Sequence, residues 1–392
     1  METPGADQSR GWFPPAISSS RRDAFACFAT SPPACGATRN LVGGLRFIGD
    51  DTSSNRPRPM TLLVQPRLVN DVYSDAGLLL DFRFGGRAIL FDLGDLSALS
   101  PREILRITHV FVSHMHMDHF IGFDHLLRLS LYRDKQLNIV GPPGLGNAVE
   151  AKLRAYTWNL LDEQSQDFSI VASDWGDDEF VARSLFRARE AFARRPQPLE
   201  RHKLPLDEAE FHIEAATLDH GIPCLAFAFQ EKVRTNVHKA RLDELGLPVG
   251  PWLNEAKRAA RTGGDAATEF TPVAGRRISL HELLDAGALR RAPGQRIAYA
   301  TDLAYHAENI ARLCRLAHGA DQLFIEGGFL EDDLRLASSR KHLTARQAGE
   351  IARSAGVRTA FPMHFSPRYL GRETELREQF ERSFGGLPVV AA

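Results

Sequence analysis

His114, His116, Asp118 and His119 fall within six consecutive positions, in the run Ser113-His114-Met115-His116-Met117-Asp118-His119. Neutral imidazoles and a carboxylate are the ligand set of zinc, and less often of iron or manganese. The residues before the run, 108–112, are short, apolar and β-branched, which predicts a buried strand. In the extended chain leaving that strand, residues two apart share a side, so His114 and His116 can serve one ion while Asp118 and His119 turn towards another. Isolated histidines are most often surface or core residues, and short motifs match by chance. Four ligand-type side chains in six positions after a strand are hard to explain that way.

Three more candidates stand at the ends of predicted strands: His220 after residues 211–215, Asp302 after 296–301, and His364 after 357–361. Together with the first four they make seven side chains, enough for two ions with positions left for solvent. Two metals bridged by a carboxylate and by water form a clamp suited to displacement at phosphorus or attack on a carbonyl.

Composition bounds what such a site can serve. The chain has 392 residues, 43% hydrophobic and 25% charged, as expected of a globular protein with one large or two ordinary domains. A net charge of -1 gives no global attraction to a polyanion, so nucleic-acid binding must come from local patches. Cys27, Cys35, Cys224 and Cys314 lack CxxC spacing, which argues against a disulfide framework and a cysteine metal site. Neither a membrane anchor nor a signal peptide is read, so cytoplasm is the expected compartment.

The elements that must position these residues follow in order. Residues 1–59 are rich in Ser, Pro, Gly, Arg and Ala, and little fixed structure is expected there. Met60 opens the first clean strand, at 61–64; the leader before it is either a mis-assigned extension or a genuine flexible tail. Strands are predicted at 77–84 and 87–93, then at 137–140, 224–230 and 322–325. Helical spacing covers 123–133, 146–161, 305–318, a segment capped by Thr344, and 374–384. Residues 173–207 read as a charged, arginine-rich insertion of solvated helix faces. Residues 231–294, with a weak apolar rhythm and Leu247-Pro248-Val249-Gly250-Pro251, read as an inserted arm outside the core. The chain thus divides into two β-rich halves.

The H-x-H-x-D-H run resembles the hallmark of the metallo-β-lactamase superfamily. Within it the chain is similar to ribonuclease Z, the transfer-RNA 3′-processing endonucleases. Gly141-Pro142-Pro143-Gly144-Leu145, His342-Leu343-Thr344, His364-Phe365-Ser366-Pro367-Arg368-Tyr369 and the glycine-proline part of the arm all resemble that family's segments, and the likeness covers residues 60–384. The resemblance implies an α/β fold, a four-layer αββα sandwich over 60–392, with two zinc ions, manganese or iron being alternatives. It assigns His114, His116 and His220 to one ion, Asp118, His119 and His364 to the other, and Asp302 to both. A hydroxide shared by the ions would attack the scissile phosphate, with Asp118 as proton acceptor and His342 as proton donor or oxyanion stabiliser at the leaving oxygen. Glu326 is the candidate to orient His342, with a plain surface glutamate as the equal alternative. Lys232, Arg234, Lys239, Arg241, Lys257, Arg258 and Arg261 of the arm are the candidate contacts to RNA phosphates. The resemblance further implies precursor transfer RNA as substrate and a homodimer.

Departures from the family pattern concern the substrate side. Its glycine-rich opening with an arginine-asparagine pair has no counterpart between Met60 and Asp92; Thr38-Arg39-Asn40 looks like its end but lies in the leader. Asp92-Leu93-Gly94-Asp95 stands for a cysteine-glycine-glutamate-like ending, and Met117 for a glycine. A small phosphodiester such as a cyclic nucleotide, or another small ester, is therefore the alternative substrate. An inactive, metal-stabilised binding module is the third reading.

Overall fold

The structure is a computed structural model that describes residues 62–199 and 203–385. The leader expected over 1–59 lies outside the described residues. The described residues fall within one compact unit.

The first half builds an eight-stranded sheet whose spatial order follows the chain. Its strands are β1 (Val64–Leu68), β2 (Leu78–Phe82), β3 (Ala88–Phe91), β4 (Ile107–Phe111), β5 (Gln136–Gly141), β6 (Ser169–Gly176), β7 (Glu179–Arg187) and β8 (Arg194–Pro196). Pairings from β3 to β6 are parallel and those on either side antiparallel. Parallel neighbours need crossovers. These are α1 (Pro101–Arg106), α2 (Phe123–Ser130) and α3 (Leu145–Arg154).

The second half builds a six-stranded sheet from β9 (Leu206–Asp207), β10 (Phe211–Asp219), β11 (Pro223–Glu231), β16 (Arg296–Ala300), β17 (Gln322–Glu326) and β18 (Thr359–Met363), in the order β18-β17-β16-β11-β10-β9. Between β11 and β16 the chain leaves the sheet through β12 (Val233–Val237), α4 (Lys239–Glu244), α5 (Trp252–Arg261), β13 (Glu269–Val273), β14 (Arg276–Ser279), α6 (Leu280–Asp285) and β15 (Leu289–Pro293). Helices α7 (Ala307–Leu316), α8 (Leu334–Arg340), α9 (Ala345–Ser354) and α10 (Glu373–Phe384) complete the half.

Side-chain alternation decides the layering. On β11, Leu225, Phe227 and Phe229 face the other sheet, where they meet Ile89, Phe91 and Phe111. The intervening Ala226 and Ala228 are small and face the second-half helices. Likewise Ala88 and Leu90 of β3 turn towards the helices of the first half. The result is helices, sheet, sheet, helices: the αββα sandwich of a mixed α/β protein. None of the described helices is long and apolar enough to cross a membrane.

Three expectations need correction. Residues 173–207 are not helix faces: they close β6 and form β7, β8 and β9. Period-two alternation buries Ser184 and Phe186 while the arginines occupy the opposite positions, so the cations masked a strand pattern. The helix expected over 146–161 ends at Arg154, and the strand expected at 61–64 starts only at Val64. Residues 231–294, read as an arm, carry a buried cluster of their own, with Leu242, Leu247, Trp252, Leu253, Phe270 and Leu283 packed together. The entry and exit strands, β12 and β15, pair with each other. They leave the register of β11 with β16 intact from Phe227↔Tyr299 to Gln230↔Arg296.

Candidate metal centre

The ligand-type residues meet at one edge of the sandwich because parallel strands end there together. His114 lies three residues past β4, and the run to His119 closes in a tight 3-10 turn over Met117–His119. That turn is sealed against the end of β3: Leu93 N–H donates to His119 O at 2.9 Å, and Gly122 N–H donates to Leu93 O at 2.9 Å. A Cβ on Gly122 would lie 2.1 Å from Gly94 O, so the approach demands glycine. His220 follows β10, Asp302 follows β16, Glu326 ends β17 and His364 follows β18. Asp92, Asp302 and His364 all have left-handed backbones, with φ of 59°, 50° and 56°.

Ligand atoms of His114, His116, His220 and Asp302 all lie within 4.8 Å of one another, and so do those of Asp118, His119 and His364. Asp302 Oδ2 stands 3.4 Å from both His114 Nε2 and His119 Nε2, and 3.6 Å from His220 Nε2. His364 closes the other side, with Nε2 3.3 Å from Asp118 Oδ2 and Nδ1 3.2 Å from Asp302 Oδ1. All seven predicted positions are thus brought together, and Asp302 lies between the two groups.

The donor set itself tests whether metal fits. His114 Nε2 and His119 Nε2 are buried without any hydrogen-bond partner, an arrangement that is costly unless something else occupies those lone pairs. Their other ring nitrogens are anchored: Nδ1 of His114 to Ser113 Oγ at 3.0 Å, of His119 to Asp92 Oδ2 at 2.9 Å, and of His220 to the Lys341 carbonyl at 2.9 Å. Outer partners of this kind fix the ring and its tautomer in metal sites. The residues fit a dinuclear centre.

The electrostatics of the metal-free ligands differ from ring to ring. Burial, and after it His119, pushes the His114 pKa down to about 3, and burial and His220 lower that of His116, so both rings are neutral as ligation requires. Burial opposes charge on His119, but Asp92 and Asp302 outweigh it and hold its pKa well above the usual value. Hydrogen bonds from His119 and His364 hold Asp118 well below the usual carboxylate range. Burial disfavours the charge on Asp302, yet His364 and His119 keep it ionised.

His342 sits between α8 and α9, left outside the latter because Thr344 caps it, accepting from Gln347 N–H at 3.2 Å. Its Nδ1 lies 2.9 Å from Glu326 Oε2 and 3.8 Å from Asp302 Oδ1. Burial works against its charge, but Glu326 and then Asp302 raise its pKa to about 9. Glu326 is fully buried, not a surface glutamate, and its other oxygen accepts from Leu303 N–H at 2.6 Å. A cavity of about 460 Å³ opens beside His342, Asp118 and His364.

The arm's predicted RNA contacts divide. Arg234 is only 4% exposed and turns to Glu231, so it belongs to the root of the arm and not to its surface. Lys232 pairs with Asp207, Arg241 with Glu244 and Arg261 with Glu210. Lys257 is half-buried. Lys239 and Arg258 are exposed with no ion pair among the described residues. Sequence reasoning missed Asp92, Tyr299 and Lys341, whose contacts support the ligands. An acid at a strand end was a weak signal for the first; the others had none.

Four layers with histidines and carboxylates gathered at the strand ends define a hydrolase of the metallo-β-lactamase superfamily, and the profile of the Beta-lactamase superfamily domain matches residues 230–365. Ribonuclease Z of Deinococcus radiodurans is 32% identical over 305 residues, covering 75% of this chain and 86% of that protein. Ribonuclease Z of Thermobifida fusca is 32% identical over 301 residues, covering 75% and 80%. The metallo-beta-lactamase fold protein YhfI from Bacillus subtilis superposes with a TM-score of 0.48 at 16% identity, covering 83% of this chain and 95% of that one. The chain belongs to the ribonuclease Z family, and it is an enzyme, a hydrolase of that family's nuclease type.

Proposed function

We propose that the protein is an endoribonuclease that cuts precursor transfer RNA at its 3′ side with two zinc ions as cofactors. The observation that carries this reading is the meeting of seven ligand-type side chains, of which Asp118 and His364 line one cavity together with His342. His114, His116 and His220 would hold one ion, Asp118, His119 and His364 the other, and Asp302 both. Ions held there supply hydroxide from water at neutral pH and neutralise charge developing on a phosphoryl group. Asp118, ionised and 44% exposed at the cavity, accepts the proton of the attacking water. His342, its Nδ1 turned to Glu326, presents Nε2 to the leaving oxygen as donor, and Glu326 holds the ring in that orientation. The arm, with Lys239 and Arg258 exposed and without an ion pair among the described residues, receives the body of the RNA. Residues 60–392 form the hydrolase domain, the compartment is the cytoplasm, and the protein acts as a homodimer.

A second reading keeps the site and changes the substrate to a small phosphodiester. Met117, 75% exposed beside Asp118, and the acidic Asp75 lining the cavity favour it. Purified protein given zinc or manganese at low salt, with precursor transfer RNA and a cyclic nucleotide in competition, tests both. Cleavage of the RNA at its 3′ side with the cyclic nucleotide left intact is expected; the opposite preference overturns the first reading.

A further inference from the structure

The cavity beside the metal centre is lined by two unlike sets of residues. One carries Tyr73 and Asp75 from the loop after β1, and that loop is clamped: Tyr73 Oη donates to Tyr369 O at 2.9 Å, Phe365 N–H to Val72 O at 2.7 Å, and Asp95 N–H to Asp75 Oδ2 at 3.1 Å. The other set is Phe329, Arg340 and His342. Two arginines line the cavity, Arg340 and Arg368. Arg368 pairs with Asp333 at 3.1 Å, whereas the side chain of Arg340 is exposed and makes no hydrogen bond or ion pair among the described residues.

Arg340 is also rooted on a fixed backbone. It ends α8, and Lys341 beyond it turns in the left-handed region with φ of 57°. The Lys341 carbonyl accepts from His220, the Lys341 ammonium pairs with Asp219 at 3.1 Å, and His342 N–H donates to Ala337 O at 3.0 Å. The guanidinium therefore starts two residues from the proposed proton donor on a segment tied to the metal centre. A planar guanidinium with its donors free is suited to a phosphate, which it grips with two parallel bonds. Asp75, which lines the same cavity, repels a phosphate, so a polyanionic strand would favour the neighbourhood of Arg340.

We propose that Arg340 grips the phosphate next to the scissile one, on the leaving-group side, which makes the site select a polynucleotide strand over a mononucleotide diester carrying a single phosphate. This rests on the nuclease reading of the centre. Phe329, buried and tilted against His342 at a ring separation of 5.7 Å, backs the proton donor beside that phosphate.

The test compares kcat/KM of the zinc-loaded protein on precursor transfer RNA and on bis(p-nitrophenyl) phosphate, which has one phosphate. In Arg340→Ala the ratio of the two should fall about ten- to a hundredfold, the range for one charge-assisted contact. The dependence of RNA binding on salt should lose about 0.7 of a unit of slope, as for one single-strand phosphate. Arg340→Lys should recover part of the ratio, and Arg335→Ala, on the same helix outside the cavity, should keep it. A helix C-terminus favours arginine through its dipole alone. If that is Arg340's only role, the ratio and the slope stay at the parent's values and the proposal is overturned. A parent protein that hydrolyses the small diester but leaves RNA whole overturns the nuclease reading, and this proposal with it.

Discussion

Tyr299 donates its hydroxyl to Asp92 Oδ2 at 2.8 Å, joining β16 of one sheet to the end of β3 in the other, directly behind His119. Asp92 also accepts from Ser113 N–H at 2.6 Å and Ser113 Oγ–H at 2.9 Å, so its carboxylate is fully engaged while it holds the His119 ring. Losing such an outer partner typically weakens metal affinity by about ten- to a hundredfold. Asp92→Asn is expected to show that loss in a chelator-competition titration, and Tyr299→Phe a smaller one in the same direction. Zinc affinities equal to the parent's in both variants would show that the pair does nothing for the centre.

His342 and Glu326 should separate chemistry from metal binding. His342→Ala is expected to lower kcat by about a hundred- to ten-thousandfold, the range for a positioned proton donor, with zinc content unchanged. Glu326→Gln should lose part of this, because an amide can keep the contact at 2.9 Å but not the charge. Turnover of a phosphodiester with an activated leaving group, which needs no proton, should be spared relative to RNA. Equal losses on both substrates would refute the donor role.

The arm can be unfolded alone. Trp252 is buried in the arm's own core and its Nε1–H donates to Pro248 O at 3.0 Å. Trp252→Ala should cost the arm about 3 to 5 kcal/mol. Proteolysis should then cut within 231–294 while the remainder stays resistant, and precursor-RNA affinity should fall with bis(p-nitrophenyl) phosphate hydrolysis retained. Loss of both activities together would show that the arm also shapes the metal centre.

Acid stability should depend on Glu214. Both of its oxygens accept from Arg296 at 2.8 Å. Burial works against the Glu214 charge, but Arg296 and His212 outweigh it and hold the pKa below the usual 4.5. In the unfolded chain the carboxyl takes up its proton more readily, so its stabilisation is complete above about pH 4.5 and disappears as the pH falls through the lower, folded value. Glu214→Gln of the metal-free protein is expected to be about 1 to 3 kcal/mol less stable at neutral pH and to converge on the parent in acid. A denaturant-measured gap independent of pH would contradict this.

Much of the centre could be read in advance because strand ends punctuate the sequence. His220, Asp302 and His364 each follow an apolar run, and the αββα layering converts that linear placement into a common edge. What stayed hidden depends on the meeting of the two sheets: Tyr299 looks like any buried strand aromatic until Asp92 stands opposite. The strands within 173–207 were hidden by arginines at outward positions, where a paired cation costs a strand little, as with Arg187 and Asp167. Arg234 misled for the opposite reason, since nothing local distinguishes a cation paired in the arm's root from one offered to phosphate.

The left-handed backbones at Asp92, Asp302 and His364 bear on how the centre is completed. Such conformations cost on the order of 1 kcal/mol or more each and persist only where the surroundings enforce them. Here the surrounding contacts come from both halves of the chain: Asp92 N–H donates to Phe111 O at 2.8 Å and Tyr299 to the Asp92 carboxylate, while Phe365 N–H, next to His364, donates to Val72 O at 2.7 Å. The histidine run alone is therefore an incomplete ligand set: His364, from beyond β18, stands in the same group as Asp118 and His119, and the centre is whole only when both halves of the chain are joined.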